Sequence, residues 1–265
     1  MRARCVLLKI TSSYDEIAGM YDVYWADWYL PSALPALENL FFSRLKRGTA
    51  VLDVCCGSGH VTSELIARGY VVTGVDSSAR LIEIARRRLP EATFTVQDVR
   101  TLKMERCFEA AISTFDSLNH ILELDGLRGA FAAIHETLFE DALFVFDMNL
   151  EEAYLSDLSQ WHAHVQTDNV GLVRGTYDGR QKMARTELIW FVKSDRGDLW
   201  QRHRSVVEQR CYTEAEITAA LTQAGFYNIG SMPAMQAGAA AELGYGRMFF
   251  SATASGRVQD RRLCA

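Results

Sequence analysis

Val51-Leu-Asp-Val-Cys-Cys-Gly-Ser-Gly-His60 joins an apolar run to a closely spaced pair of glycines. This pattern is typical of a buried β-strand that turns directly into a helix. Gly57 and Gly59 allow the backbone to approach a ligand closely, because a side chain would fill the space or forbid a positive φ. Two glycines alone do not identify the ligand, so the neighbouring segments must be considered with them.

Short apolar runs alternate with helical periodicity between residues 50 and 149, which indicates βαβ units and a parallel sheet. The five predicted strands cover residues 50–56, 70–76, 92–98, 108–116 and 142–149. The last predicted helix between them runs to Leu138. Near the end of the chain, Thr213 and Glu216 form a capping box for a helix that closes at Gly225. Strands over 226–230 and 247–251 then complete a seven-stranded α/β sheet with helices on both faces.

Residues 151–211 break this alternation. Strand-like stretches at 171–177, 181–193 and 199–210 are joined by turn signals, which predicts an antiparallel β insertion.

Composition restricts the class of partner. With 49% hydrophobic and 23% charged residues and a formal net charge of −5, the chain resembles a soluble globular protein that does not bind nucleic acid. Its apolar runs are too short for a membrane span or a signal peptide, so we expect a cytoplasmic protein. The six cysteines form no C-x-x-C pair, and His162 and His164 lack a nearby acid or cysteine. We therefore expect no metal site.

Aspartates stand near the carboxyl ends of three successive predicted strands: Asp53, Asp76 and Asp98. The carboxyl ends of parallel strands meet at one edge of a sheet, so these acids should converge there. Asp76 can accept hydrogen bonds from two vicinal ribose hydroxyls, and Asp98 can accept one from an adenine amine. Any one of them could instead cap a helix or stabilise a turn. Together they predict a nucleoside site.

The chain resembles the class I S-adenosylmethionine-dependent methyltransferases from about residue 14 to residue 253. Their first motif is usually acid-x-Gly-x-Gly-x-Gly, and Cys55 stands where the first glycine is usual. The resemblance implies that Asp53 and the turn hold the methionine half of S-adenosylmethionine, that Asp76 holds the ribose, and that Asp98 with Val99 holds the adenine. The remaining candidate cofactor-binding residues are Tyr14, Tyr21, Cys56, Gly57, Gly59, Ser77, Leu81, Arg100, Thr114, Phe115 and Asn119.

A polar cluster after the fourth strand, Ser113 to His120, lies at the same sheet edge. It is similar to bacterial small-molecule methyltransferases, including deoxyaminosugar N-methyltransferases, in which a histidine at the position of His120 borders the methyl acceptor. His120 could take a proton from an amine or orient it, and Asp116 could hold His120 in place. Alternatively, Asp116 caps the next helix and His120 packs under it.

The aromatic stretch from Tyr14 to Trp28 is predicted to be helical. In similar enzymes such a segment lies over the cofactor as a lid, with a tyrosine at the position of Tyr14 reaching the site; this makes Tyr14 a third catalytic candidate. The rings could instead only pack the helix on the domain. Arg174, Trp190 and Trp200 are candidates for the acceptor pocket, or for outward-facing or dimer contacts.

The predicted organisation is a helical lid over 1–48, an S-adenosylmethionine-binding Rossmann-like core over 49–150, the β insertion as an acceptor cover over 151–211, a C-terminal helix with the last two strands over 212–254, and a flexible tail over 255–265. The favoured activity is N-methylation of a small amine such as an amino sugar, releasing S-adenosylhomocysteine. Small-molecule O-methylation is the alternative, and the protein could form a homodimer.

Two interpretations of other classes stay open. A nicotinamide-dependent oxidoreductase also places glycines and an acid at these points, although its third small residue would fall at Thr62 and it needs neither Asp53 nor Asp98. A non-catalytic homologue that only binds S-adenosylmethionine is the other, because fold does not establish activity.

Overall fold

The computed structural model describes residues 12, 14–155, 159–194 and 199–256. Most of the predicted tail over 255–265, and the first eleven residues of the predicted lid, therefore lie outside the described residues. The strands of the described part are β1 (Ala50–Val54), β2 (Val71–Asp76), β3 (Thr93–Val96), β4 (Phe108–Ser113), β5 (Leu138–Asn149), β6 (His162–Val165), β7 (Asn169–Asp178), β8 (Met183–Lys193), β9 (Trp200–Arg210), β10 (Phe226–Pro233) and β11 (Arg247–Ala254).

Helices precede, connect and cover these strands. They are α1 (Tyr14–Met20), α2 (Ala26–Leu40), α3 (His60–Ala67), α4 (Ala79–Arg88), α5 (Leu124–Thr137), α6 (Glu151–Leu155), α7 (Glu214–Ala224) and α8 (Ala234–Ala237). A π-helical turn, Tyr21–Trp25, joins α1 to α2, and short 3₁₀ turns cover Phe42–Arg44, Val99–Thr101, Ser117–His120 and Ala241–Leu243. In the described part of the chain, no helix has the length and apolar character that crossing a membrane requires.

The main sheet has seven strands in the order β10-β11-β5-β4-β1-β2-β3. Strands β1 to β5 pair in parallel, whereas β11 runs antiparallel to β5 and β10 runs antiparallel to β11. This confirms the predicted α/β class, including the two late strands.

Alternating side chains of β1 supply both faces of this sheet. Leu52 joins a core with α5 and α7, while Val51 joins the opposite core with α2 and α3. Helices therefore cover both faces, and the carboxyl ends of the parallel strands are left as the open edge.

Local signals specify the ends of α7 as predicted. Thr213 Oγ1 accepts from the Glu216 amide at 3.2 Å, and Glu216 Oε2 accepts from the Thr213 amide at 2.8 Å. Gly225 ends the helix with φ 100°. The start of β5 was predicted wrongly: α5 runs directly into a strand that begins at Leu138, and Asp141 takes a positive φ of 65° within it.

The insertion is a separate sheet of four antiparallel strands in the order β6-β7-β8-β9. The sequence predicts three of them and misses β6, a short strand whose residues are all exposed. One face of this sheet packs on α1: Ile17 and Met20 form a small core with Leu188, Trp190 and Val207. The N-terminal helices are thus held between the insertion and the edge of the main sheet.

Candidate active site

A cavity of about 810 Å³ lies beyond the carboxyl ends of the parallel strands, under α1 and beside the insertion. Ligand pockets of globular proteins span roughly 300–1,000 Å³, so this cavity has room for a nucleoside cofactor and a second small molecule. The predicted site residues that line it are Tyr14, Tyr21, Cys55, Gly57, Asp76, Ser77, Leu81, Asp98, Val99, Arg100, Phe115, Asp116 and His120. We call it the central cavity.

The other predicted site residues lie behind this surface. Asp53, Cys56 and Thr114 surround a small void of about 20 Å³ behind the glycine turn. Gly59 precedes α3 with φ 84°, and a Cβ there would lie 3.2 Å from Cβ of Ala85, so the glycine allows α3 and α4 to pack closely.

Asn119, which the sequence suggests as a cofactor-binding residue, does not line the central cavity. It is fully buried, and its amide donates to the carbonyls of Asn149 at 3.0 Å and Arg210 at 2.9 Å. These bonds join the main sheet to the insertion.

The glycine turn and Asp76 form one hydrogen-bonded unit. Asp76 Oδ2 accepts from the Gly57 amide at 3.0 Å, and Oδ1 accepts from the Ser78 amide at 2.8 Å. Gly57 has φ 55°, and a Cβ there would lie 3.1 Å from the Tyr21 ring, which covers the turn. Burial raises the pKa of Asp76 to about 6. The Asp76 carboxyl group lies at the edge of the central cavity, and the amides of Gly57 and Ser78 hold its orientation.

Asp53 is 1% exposed, and Thr62 Oγ1 donates to its Oδ2 at 2.5 Å. Burial raises the pKa of Asp53 to about 7, with a further contribution from the negative charge of Asp76. A positive charge close to this buried carboxyl group would lower its pKa and so favour the ionised form.

Asp98 differs from the free hydrogen-bond acceptor that the sequence suggests. Its Oδ1 accepts from both the amide and the Nε of Arg100 at 2.9 Å, so it caps the short turn Val99–Thr101 and forms an ion pair. Hydrogen bonds from the Arg100 side chain lower the pKa of Asp98. Its carboxylate reaches the cavity already paired with Arg100.

His120 is held at both ring nitrogens. Nδ1 lies 2.8 Å from the carbonyl oxygen of Glu208, which can only accept, so Nδ1 carries the hydrogen. Nε2 is then an acceptor and lies 2.8 Å from the hydroxyl of Tyr14. Burial lowers the pKa of His120, which favours the neutral ring. This contact supports the idea that Tyr14 reaches the site.

Asp116 does not touch His120 directly, contrary to the sequence-based hypothesis. It has a left-handed φ of 44°, and Oδ1 lies 2.7 Å from Nη2 of Arg247. Its other oxygen accepts from the side-chain amide of Gln209, which also lies beside His120. Asp116 occupies the N-cap position of the turn Ser117–His120, but its side chain makes no capping hydrogen bond there.

A buried ionic network behind Asp116 was missed by sequence reasoning. Asp147 accepts from the Phe115 amide at 2.6 Å, from the Asp116 amide at 3.1 Å and from the Tyr29 hydroxyl at 2.8 Å, and it is ion-paired with Arg247. These bonds fix two consecutive residues at positive φ. The one signal in the sequence was the position of Asp147 near the carboxyl end of a predicted strand.

The N-terminal helices are anchored on the core by two aspartates. Asp15 Oδ1 accepts from Ser78 Oγ at 2.7 Å and from the Arg80 amide at 3.2 Å, at the start of α4. Asp22 accepts from Arg88 at 2.9 Å, at the end of the same helix. These contacts hold Tyr14 and Tyr21 over the central cavity.

The far half of the cavity is formed largely by the insertion and α6. Tyr154 and Tyr177 stack there with ring centroids 5.5 Å apart, and the Tyr154 hydroxyl is buried without a hydrogen-bond partner. None of Arg174, Trp190 and Trp200 lines this cavity. The polar residues of this half include Thr176, Arg185, Thr186 and Gln209.

Among the described residues, no group of three or more His, Cys, Asp or Glu lies close enough to bind a metal ion. The donors at the sheet edge instead suit an organic cofactor. A Cβ at Gly57 would meet the Tyr21 ring, and the Asp76 carboxylate accepts from the Gly57 amide at the edge of the cavity.

Comparison with known proteins agrees with this geometry. Residues 51–141 match the family model described as a methyltransferase domain. A putative methyltransferase of Geobacillus sp. (strain WCH70) is 29% identical over 216 residues, covering 77% of this chain and 86% of the relative. The dTDP-3-amino-3,4,6-trideoxy-α-D-glucopyranose N,N-dimethyltransferase of Streptomyces venezuelae is 26% identical over 210 residues, covering 78% and 89%.

Solved structures share the fold. An S-adenosylmethionine-dependent methyltransferase from Clostridium acetobutylicum superposes with a TM-score of 0.71 at 21% identity, covering 92% of this chain and 100% of the other. The CcbJ methyltransferase from Streptomyces caelestis gives a TM-score of 0.75 at 18% identity, covering 93% and 99%.

The seven-stranded sheet, the glycine turn and the family match define an enzyme of the methyltransferase class. Residues 51–141 form a methyltransferase domain, and the protein is an S-adenosylmethionine-dependent methyltransferase. The comparisons confirm the methyltransferase interpretation over the nicotinamide-dependent oxidoreductase.

Proposed function

We propose that this enzyme transfers the methyl group of S-adenosylmethionine to an amine nitrogen of a small molecule, with an amino sugar as the favoured acceptor. The observation that carries the proposal is the contact between Tyr14 and His120, which places a neutral imidazole nitrogen on the wall of the central cavity. An amine is protonated near neutral pH and cannot attack until it loses that proton. A neutral histidine beside it is the group suited to accept the proton.

The polar groups at the sheet edge suggest which part of the cofactor each would bind. We assign Asp76 to the ribose hydroxyls, Asp53 and the Gly57 turn to the methionine half, and Val99 with the paired Asp98 to the adenine. When bound, S-adenosylmethionine supplies an electrophilic methyl carbon on its sulfonium. Tyr21, which covers Gly57, excludes water from that end of the cavity.

The acceptor is oriented by the Tyr14–His120 pair. An amine that enters between these side chains can donate one hydrogen to His120 Nε2 in place of the Tyr14 hydroxyl, and the hydroxyl oxygen can accept a second one. Methyl transfer is an in-line displacement, so positioning of the nitrogen within about 3–3.5 Å of the methyl carbon is the main contribution of the protein. His120 then holds the proton that the amine has lost.

The acceptor class is supported by the relatives and by the cavity wall. Two relatives are dTDP-amino-sugar N,N-dimethyltransferases, from Streptomyces venezuelae and Streptomyces fradiae. The hydroxyl and amide groups in the far half of the central cavity suit a ligand with several hydroxyls. The small molecule would lie against β7, β8 and β9, which fits the predicted acceptor cover.

The test is a substrate panel read out as S-adenosylhomocysteine release and as product mass. Each dTDP-amino sugar is paired with the dTDP-sugar that carries a hydroxyl in place of the amine. We expect a mass gain of one or two methyl groups only on the amines, and a large loss of turnover in His120→Asn. Methylation of the hydroxyl partners alone would instead establish O-methylation and overturn the proposal.

A further inference from the structure

Gln209, near the end of β9, is the group that joins Asp116 to His120. Its side-chain Nε2 donates to Asp116 Oδ2 and lies 3.2 Å from Nε2 of His120. The neighbouring Glu208 carbonyl accepts from the other ring nitrogen. Strand β9 therefore contacts both nitrogens of His120, and Gln209 also lines the central cavity.

The orientation of the Gln209 amide is set by charge. Asp116 is ion-paired with Arg247, and an ionised carboxylate can only accept hydrogen bonds. The Gln209 atom that faces it must be the NH₂ group, because the carboxamide oxygen would bring two acceptors together. One hydrogen of the NH₂ group points to Asp116, and the second is left for His120.

We propose that Gln209 is a positioning residue whose amide, oriented by Asp116, keeps His120 neutral with Nε2 as the proton-accepting atom. The inference rests on the proposed function, in which His120 accepts the proton of the amine. In this proposal Asp116 acts by orienting the Gln209 amide, and Arg247 acts by pairing with Asp116. Neither side chain needs to contact the acceptor.

The Gln209 amide favours neutral His120 because two hydrogen-bond donors cannot face each other. If Nε2 were protonated, its N–H would face the N–H of Gln209, and the hydrogen bond would be lost. A hydrogen bond that the neutral form alone can accept disfavours the charged form. Asp116 acts in the opposite direction, since its negative charge favours the imidazolium. Gln209 contacts both side chains and donates a hydrogen bond to Oδ2 of Asp116.

Other charged or titratable groups lie on the elements packed around the His120–Asp116 pair. Tyr14 on α1 donates to Nε2, so it also favours the neutral ring. Arg247 on β11 offsets the charge of Asp116, and Asp147 on β5 lies behind both of them. Replacing Gln209 by an apolar side chain would remove a donor and leave Asp116 less shielded, and both changes favour protonation of His120.

The test is an NMR pH titration of His120 in the parent and in Gln209→Met, with the imidazole signal assigned by its loss in His120→Asn. Gln201→Met is the matched control, because Gln201 is an exposed glutamine on the same strand. We expect Gln209→Met to raise the pKa of His120 by about one unit and Gln201→Met to leave it unchanged. Equal titration curves in the parent and Gln209→Met would overturn the inference.

A second substitution covers the case in which Gln209→Met does not fold. Gln209→Glu places an acceptor next to Nε2, so the pKa of His120 should rise in this variant too, with Gln201→Glu as its control. The low-pH limb of kcat/KM should move with the NMR pKa, while S-adenosylhomocysteine affinity stays unchanged. A shifted His120 titration with an unshifted activity profile would contradict the base role of His120 but support the role of Gln209.

Discussion

The hydroxyl of Tyr14 lies 2.8 Å from Nε2 of His120, although 106 residues separate them in the chain. One belongs to the first helix and the other to the turn that follows β4, so the pair forms only when the N-terminal helices lie against the sheet edge. Under the proposed function, the acceptor site is therefore assembled together with the helices over the central cavity.

His120→Asn tests the base role directly. We expect turnover to fall about 100-fold with little change in S-adenosylmethionine affinity, because the group acts on the acceptor and not on the cofactor. In the parent, activity should be lost as the pH falls through a pKa below the usual histidine value, since burial lowers the pKa of His120. This limb should disappear in the variant. His203→Asn, at an exposed position on β9, should behave like the parent.

Asp76 should make cofactor binding depend on pH. Its folded pKa of about 6 lies above the ordinary value of 3.8, so the free protein binds more protons than the unfolded chain between about pH 4 and 6. The free energy of unfolding should fall as the pH rises through this range. Ribose hydroxyls prefer the ionised carboxylate, so cofactor affinity should rise over the same range and protons should be released on binding.

Calorimetry in buffers of different ionisation enthalpy measures this release. In Asp76→Ala the proton release that comes from Asp76 should vanish, and cofactor binding should weaken by about 1.5–3 kcal/mol. An unchanged dissociation constant would mean that Asp76 only supports the Gly57 turn.

Arg247 should be a major determinant of stability. It is 5% exposed and is paired with both Asp116 and Asp147. Removing one partner of a buried ionic network costs about 3–5 kcal/mol, because the remaining charges are left uncompensated. Arg247→Met should therefore lower the free energy of unfolding in urea by that amount. Arg87→Met, at a side chain 68% exposed, should change it by less than about 0.5 kcal/mol.

The features that could be predicted from sequence are those with local causes. The glycine turn, the acids after the strands and the capping box of α7 all depend on residues close together in the chain. The pairing of Asp98 with Arg100 is equally local, two residues apart, and the spacing could have indicated it. The start of β5 was missed because no glycine or proline separates it from α5.

The features that could not be predicted depend on distant strands. Asp147 and Arg247 are 100 residues apart and meet because β11 lies antiparallel beside β5. Gln209 reaches His120 only because the insertion folds back over the turn after β4. Hydrophobic periodicity specifies which face of a strand is buried, but it does not specify which polar side chains meet across two sheets. The partners of His120 and Asp116 therefore required the structure.

The last prediction concerns release of the product from under the N-terminal helices. Arg88 donates to Asp22 at 2.9 Å and to the Ser58 carbonyl at 2.6 Å, so it joins the π-helical turn to the glycine loop. If these helices must move for S-adenosylhomocysteine to leave, Arg88→Met should speed its dissociation about fivefold, as expected for losing about 1 kcal/mol of charged hydrogen bonding. Arg87→Met is the control on the same helix, because Arg87 pairs with the exposed Glu83 one helical turn away. Stopped-flow fluorescence of Trp25, which lines the central cavity, measures the rate. Equal off-rates in the two variants would show that the contacts of Arg88 do not limit product release.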